Sequence, residues 1–202
     1  HGAWAELGTR MIAPLSTMPA PSDFAFVPIQ REPLEDFEIG GVAIGDTSAG
    51  GMLRLWRTRY DYLTGTVFIS ADAVPGYPAT PETPVFSYSG ITEISLAFDQ
   101  VMSPVFFFVA AGGLYYRWYD PVASDYAIVS VGTGRTPRAT LDDPRGGEND
   151  VVLAYVRNDD VMCARYQREG YVTEHELLSD VAAIHQIGFS LGNRLQFFYA
   201  PA

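Results

Sequence analysis

Carboxylates stand in close pairs at Asp142–Asp143, Glu148–Asp150 and Asp159–Asp160. Two carboxyl groups held roughly 5 to 9 Å apart can hydrolyse a glycosidic bond. Asp142, Asp143, Glu148 and Asp150 share the loop LDDPRGGEND (141–150) and could offer hard oxygen ligands to Ca²⁺. The spacing is not that of an EF-hand loop, and Pro144 interrupts it. Asp159 and Asp160 fall in a tight turn, where aspartate is favoured for backbone reasons. These acids therefore read as solvated turn residues, with no catalytic or metal role assigned.

The stretch VVLAYVRNDDVMCARYQREGY (151–171) carries Arg165 and Arg168 among aromatics, and Arg117 stands in a similar setting upstream. An arginine pair could grip an anionic glycan. A mid-strand arginine beside rings also stacks on a cross-strand aromatic and pairs with a carboxylate, which keeps sheet register. Cys163 is the only cysteine, so no internal disulfide exists, and it reads as a small buried apolar residue. His175 and His185 have only His1 as a third imidazole, too few for a zinc site of ordinary spacing. GTGRTPRA (132–139) holds two glycines and leads into no helical pattern, so it is no phosphate loop. No strand-to-helix nucleophile elbow is read, and H-E-x-x-H, C-x-x-C and the S-x-D-x-G-x-T-W turns of sialidases are missing from the sequence. No catalytic, cofactor-binding or metal-binding residue is assigned, and no cofactor is expected.

Composition narrows the partners. The chain has 202 residues and a formal charge of −11, and its 13 cations are all arginine. Clustered positive charge is what grips phosphate backbones, so nucleic acid is not an expected partner. The longest apolar run, VFFFVAAGGLYY from Val105, is too short to span a bilayer and is broken by glycines. No segment reads as a signal peptide, and membrane insertion is not expected. Aromatics make up 13% of the chain, which favours pleated, half-buried strands.

Residues 1–35 carry prolines at 14, 19, 21, 28 and 33 and little periodicity, so they read as an extended arm. Phe24, Phe26, Val27 and Ile29 suit an arm that lies along a neighbour. Residues 36–202 read as a β-repeat domain of short strands between turns. GMLRLWRTRYDYLTGTVFIS predicts a hairpin about YLTG, and VPGYPATPETPV (74–85) a proline-rich loop. PVFFFVAAGGLYYRWYD predicts strand, Ala-Gly-Gly turn, strand, and IGFSLGNRLQFFY a last hairpin about Gly-Asn. TEHELLSDVAAIHQ (173–186) is the one candidate helix, with a strand followed by a loop as its competitor.

The two best hairpins superimpose in sequence. Val105 falls on Val152 at an offset of 47, and Tyr115 on Cys163 at 48, so Arg117 meets Arg165 and Trp118 meets Tyr166. LAFD at Leu96 corresponds to TLDD at Thr140. Arg168 falls on Asp120, so the arginine pair does not recur. A period of roughly 40 to 50 residues with about four short strands is the size of a propeller blade. The hairpins from Gly51 and Ile187 are weaker copies. The expected fold is all-β: antiparallel, blade-like hairpin repeats forming a partial β-propeller or β-sandwich, behind an extended N-terminal arm.

From about residue 83 to 200 the order LAFD, an apolar run after Pro104, LYYRWYD, LDD, DVVLAYVR and ARYQREGY resembles a group of tailed-bacteriophage virion proteins built from such repeats. The resemblance implies a non-enzymatic structural component of a phage tail, tail tip or baseplate, located in the virion. Its implied partners are other virion proteins and copies of itself. The alternative is a carbohydrate-binding, receptor-recognition domain that stacks a host surface glycan on Tyr115, Trp118, Tyr119 and Tyr166.

Overall fold

The computed structural model describes residues 38–39, 42–47, 52–76, 78–99, 103–120, 125–142, 150–189 and 195–202. The expected arm (1–35), Asp143 and Glu148 of the acidic loop, and the Gly192–Asn193 turn lie outside them.

The described residues form fifteen strands in four antiparallel sheets, in chain order. In the first sheet, β1 (Glu38–Ile39) and β2 (Val42–Thr47) both pair with β3 (Met52–Asp61), followed by β4 (Thr66–Ala71) and β5 (Thr80–Ser87). The second is a meander of β6 (Ile91–Phe98), β7 (Pro104–Ala110), β8 (Gly113–Asp120) and β9 (Asp125–Thr133). The third repeats it with β10 (Arg135–Asp142), β11 (Asp150–Val156), β12 (Met162–Tyr166) and β13 (His175–Leu178). The fourth has β14 (Val181–Phe189) and β15 (Leu195–Pro201). One 3₁₀ turn, Gln167–Glu169, follows β12, and no α-helix occurs among the described residues. The all-β, repeated-hairpin reading therefore holds.

The repeat is visible in the register. Arg117 stands opposite Phe106, and Arg165 opposite Leu153. The change of offset from 47 to 48 has a local cause. The β7–β8 hairpin turns on Ala111 and Gly112, both with positive φ, as a two-residue hairpin turn demands. The β11–β12 hairpin turns on three residues, Asn158, Asp159 and Asp160, closed by a hydrogen bond from Arg157 N to Val161 O of 2.8 Å. Asp160 takes the left-handed conformation there (φ 62°).

The sheets stack face to face. Phe106, Phe108 and Ala110 of β7 join Tyr60 and Val67 of the first sheet in one core. Val105, Phe107 and Val109 of the same strand join Val151, Leu153, Tyr155 and Cys163 of the third sheet in another. A third core puts Ala154, Val156 and Met162 against Val181, Ile184 and Ile187 of the fourth sheet. Strands β7 and β11 are thus covered on both faces, which is why they read as unbroken apolar runs instead of alternating. Full burial of each phenylalanine there stabilises by about 1.5–3 kcal/mol. Strand β2 packs on β6, the first strand of the second sheet, and the first strands of the later sheets continue the series, β6 on β10 and β10 on β14. Ser95 Oγ accepts the Ala139 N–H at 3.0 Å, and Thr136 Oγ1 accepts the Ile184 N–H at 3.1 Å.

Of the two readings of residues 173–186 the strand holds and the helix does not: they give β13, a Ser179–Asp180 bend and most of β14. Register shifts at Val181/Ala183 and Ile184/Gln186 interrupt the alternation of β14. Its buried residues, Val181, Ile184 and Ile187, consequently fall three apart and imitate a helical stripe. The proline-rich 74–85 segment is not all loop, because Thr80–Ser87 is β5. A strand at the sheet edge tolerates Pro81 and Pro84, whose missing N–H groups can face away from the ladder.

Candidate interaction surface

The arginine aligned by the repeat sits in a built polar network. Arg165 donates from Nε to Tyr155 Oη (2.9 Å), from Nη1 to the carbonyls of Tyr171 (2.7 Å) and Val172 (3.1 Å), and from Nη2 to Glu174 (3.2 Å). Tyr155 Oη donates to Glu174, and Arg157 donates to the same carboxylate at 2.7 Å. Burial pushes the Glu174 carboxyl up, but hydrogen bonds from Tyr155, Arg157 and Arg165 outweigh it and hold the group below the usual range. Burial and the Glu174 hydrogen bond push the Tyr155 phenol up. These bonds run from β11 and β12 to the segment leading into β13, so the network braces the third sheet.

Arg117 is held differently. It is 8% exposed, and its guanidinium lies 4.7 Å from the Phe86 ring of the first sheet and 3.9 Å from the Tyr126 ring of β9. Its Nη1 meets no acceptor among the described residues. Burial lowers its pKa, partly offset by Tyr126 and Asp125. This guanidinium is an inter-sheet wedge, closed to a ligand from solvent.

The remaining chemical candidates separate. Arg168 leaves the strand on the 3₁₀ turn and lies over the Tyr166 ring at 4.6 Å. Asp159 pairs with Arg157 at 2.7 Å, whereas Asp160 accepts from Arg135, so this acid pair is divided between two arginines. Burial pushes the Cys163 thiol up to about 11 within the core between the second and third sheets. His175 pairs with Glu169 at 2.8 Å, and His185 is exposed. Among the described residues, no group of three or more His, Cys, Asp or Glu side chains is placed to hold a metal ion. None of their helices is long and apolar enough to cross a membrane.

Of the aromatic set proposed for sugar stacking, Tyr115 and Trp118 do not share a face, and the Tyr119 side chain lies outside the described ones. Tyr115 packs on Tyr88 and Phe108 toward the first sheet, whereas Trp118 packs on the core facing the third. Tyr166 meets His175 edge-on in β12. Strand alternation separates Tyr115 from Trp118, since positions an odd number apart point to opposite faces.

Two outward surfaces were not assigned from the sequence, although the strand that carries the second was. An open hollow of about 330 Å³ lies between the β3–β4 and β5–β6 turns, lined by Tyr60, Tyr62, Leu63, Thr64, Ser87 and Tyr88. Leu63 is 89% exposed at its rim, while Tyr60 Oη is fixed between Tyr88 O and Gly90 N. The second feature is β15, which exposes Phe198 and Tyr199. The signal for β15 was LQFFYAP itself, an apolar strand without charge; the hollow joins turns too far apart in sequence to be seen beforehand. No protein-family model matches this chain, and no curated protein is significantly similar to it.

Proposed function

We propose that this chain is a non-enzymatic structural component of a bacteriophage virion, in the tail, tail tip or baseplate, that docks to neighbouring subunits through its arm and β surfaces. The observation that carries this reading is the direction of its polar chemistry. Arg135, Arg157, Arg165, Asp160 and Glu174 spend their hydrogen bonds on one another and on backbone carbonyls, strand to strand and sheet to sheet. Apolar side chains instead face outward at a turn and at a sheet edge (Tyr62, Leu63, Phe198, Tyr199), where a building block meets its neighbours. The virion assignment itself draws on the order of repeats between residues 83 and 200. Mass spectrometry of gradient-purified particles tests it: the chain should be present at a fixed copy number, and particles that lack it would overturn the proposal.

A second reading, recognition of a host glycan, rests on the tyrosine-lined hollow at Tyr60, Tyr62 and Tyr88 in place of the dispersed β8 and β12 rings. Binding to a glycan array that disappears in Tyr62→Ala would favour it.

A further inference from the structure

The β7–β8 hairpin of the second sheet closes on Ala111 and Gly112 alone. The corresponding β3–β4 turn of the first sheet runs from Tyr62 to Gly65 and exposes Tyr62 by 59% and Leu63 by 89%. In the third sheet the tip of the equivalent turn is polar, Asn158, Asp159 and Asp160. The first sheet therefore carries a ring and an apolar side chain that closing a hairpin does not require.

The hollow beside them is preformed. Tyr88 N donates to the Gly65 carbonyl at 2.8 Å. Tyr60 Oη ties the same two turns together, donating to Tyr88 O and accepting from Gly90 N, each at 3.0 Å. Asp61 Oδ1 accepts the N–H groups of Leu63 at 2.9 Å and Thr64 at 3.4 Å, which fixes the path of the turn. A site held in shape before binding spares the ligand the cost of ordering it.

The lining selects a class of ligand. Its volume of about 330 Å³ stands at the lower end of small-molecule sites. Tyr60 is 1% exposed, and the Tyr88 ring packs on Phe108 and Tyr115, so the exposed ring is that of Tyr62. Beside it stand the side chains of Thr64, Ser87 and Ser89, all exposed, and the lining holds no Asp, Glu, Arg or His. An anionic ligand would meet no cation here and would face the field of a chain of charge −11. A ring next to hydroxyls suits a molecule with one apolar C–H face and a hydroxylated edge.

We propose that the hollow binds the terminal, uncharged sugar unit of a glycan, its C–H face stacked on Tyr62 and its hydroxyls hydrogen-bonded to Thr64, Ser87 and Ser89. The open mouth leaves the rest of a longer glycan in solvent. This rests on glycan recognition by the hollow and narrows it to neutral sugars.

Amide chemical shifts of the full 202-residue chain test it, under titration with methyl glycosides of neutral hexoses and N-acetylhexosamines and, in parallel, with sialic acid and glucuronate. At least one neutral glycoside should shift the amides of Tyr62 to Gly65 and Tyr88 to Gly90 saturably. Tyr62→Ala should weaken that binding by about tenfold, while Tyr62→Trp, which keeps an aromatic face, should retain it. If no sugar shifts these amides, glycan recognition by the hollow falls together with this proposal. If the charged sugars bind there as tightly as the neutral ones or more tightly, glycan recognition survives and the neutral assignment is overturned. Neutral binding that Tyr62→Ala leaves unchanged would overturn the stacking.

Discussion

Arg117 and Arg165 hold the same place in successive sheets, yet Arg165 donates to four acceptors while Arg117 is clasped by two rings. The difference lies in the strand alongside. Glu174, one residue before β13, takes the Arg165 guanidinium, whereas Ile128 stands opposite Arg117 in β9. One repeat position thus carries an ion-paired brace in one sheet and a cation–π wedge in the next.

Truncation should expose that asymmetry. Arg165→Met takes one of two arginines from Glu174 and the side-chain donor from the Tyr171 and Val172 carbonyls, and should cost about 1–3 kcal/mol. Arg117→Met removes a buried charge whose Nη1 lacks an acceptor and keeps the apolar stem, so stability should change by under about 1 kcal/mol. Ile128→Glu should add about 1 kcal/mol when Arg117 is present and nothing in the Arg117→Met background. Urea unfolding of the four variants checks this; equal losses for the two arginines would contradict it.

The Glu174 network should set the acid limb of stability. Glu174 is held below its ordinary 4.5 in the folded chain despite the opposing effect of burial. A carboxyl depressed by folding contributes stability that is complete above the unfolded value and drains away as pH falls through the folded one. Asp159, held down by Arg157, acts in the same direction. Wild-type stability should therefore fall as pH drops below about 4.5, and Glu174→Gln should be weaker at neutral pH and flatten that slope. Urea midpoints measured from pH 6 down to about 3 decide it, and parallel pH profiles would rule the network out as the cause.

Much of this architecture could be read from residue order. The 47-to-48 offset located equivalent strands and even the extra turn residue, because hairpin length is written in local turn chemistry. The arginine at the centre of the copy was legible as a scaffold residue for the same reason. What covers a strand was not legible. Val105 to Ala110 shows that β7 is buried on both faces but not that Tyr60 lies on one side and Leu153 on the other. In β14 the bulges broke the period of two, and a strand looked helical. The candidate sugar-binding rings do not make one platform, since Tyr115 and Trp118 lie on opposite faces of one strand.

Gly134, between β9 and β10, should be intolerant of any side chain. A Cβ built there would lie 2.7 Å from Tyr155 Cδ2 and 3.2 Å from the Val156 carbonyl oxygen. Tyr155 is fixed by the Arg165 and Glu174 hydrogen bonds, so its ring has little freedom to move aside. Gly134→Ala should cost about 1–3 kcal/mol, the usual penalty of overpacking. The companion change Gly112→Ala meets no atom within 4 Å and should suffer only the milder strain of its positive φ of 76°. Thermal melts of the pair test this, and a Gly134→Ala variant as stable as wild type would refute the close approach.

The fourth sheet should open as a unit of its own when Arg135 is removed. Arg135 donates to the Ala182 carbonyl at 3.1 Å, to the Arg157 carbonyl at 3.0 Å and to Asp160, so one side chain ties β14 to the β11–β12 hairpin. The other links are the Val181 N–H to Asp160 O at 2.8 Å, the Ile184 N–H to Thr136, Arg138 Nε to the His185 carbonyl at 2.9 Å, and the small core around Ile184 and Ile187. Elements with little apolar cover unfold locally at less than the global free energy. Arg135→Met should therefore speed hydrogen exchange in β14 and β15 while the amides of β7 and β11 keep their protection. Uniform acceleration in all four sheets would instead show that the stack unfolds only as a whole.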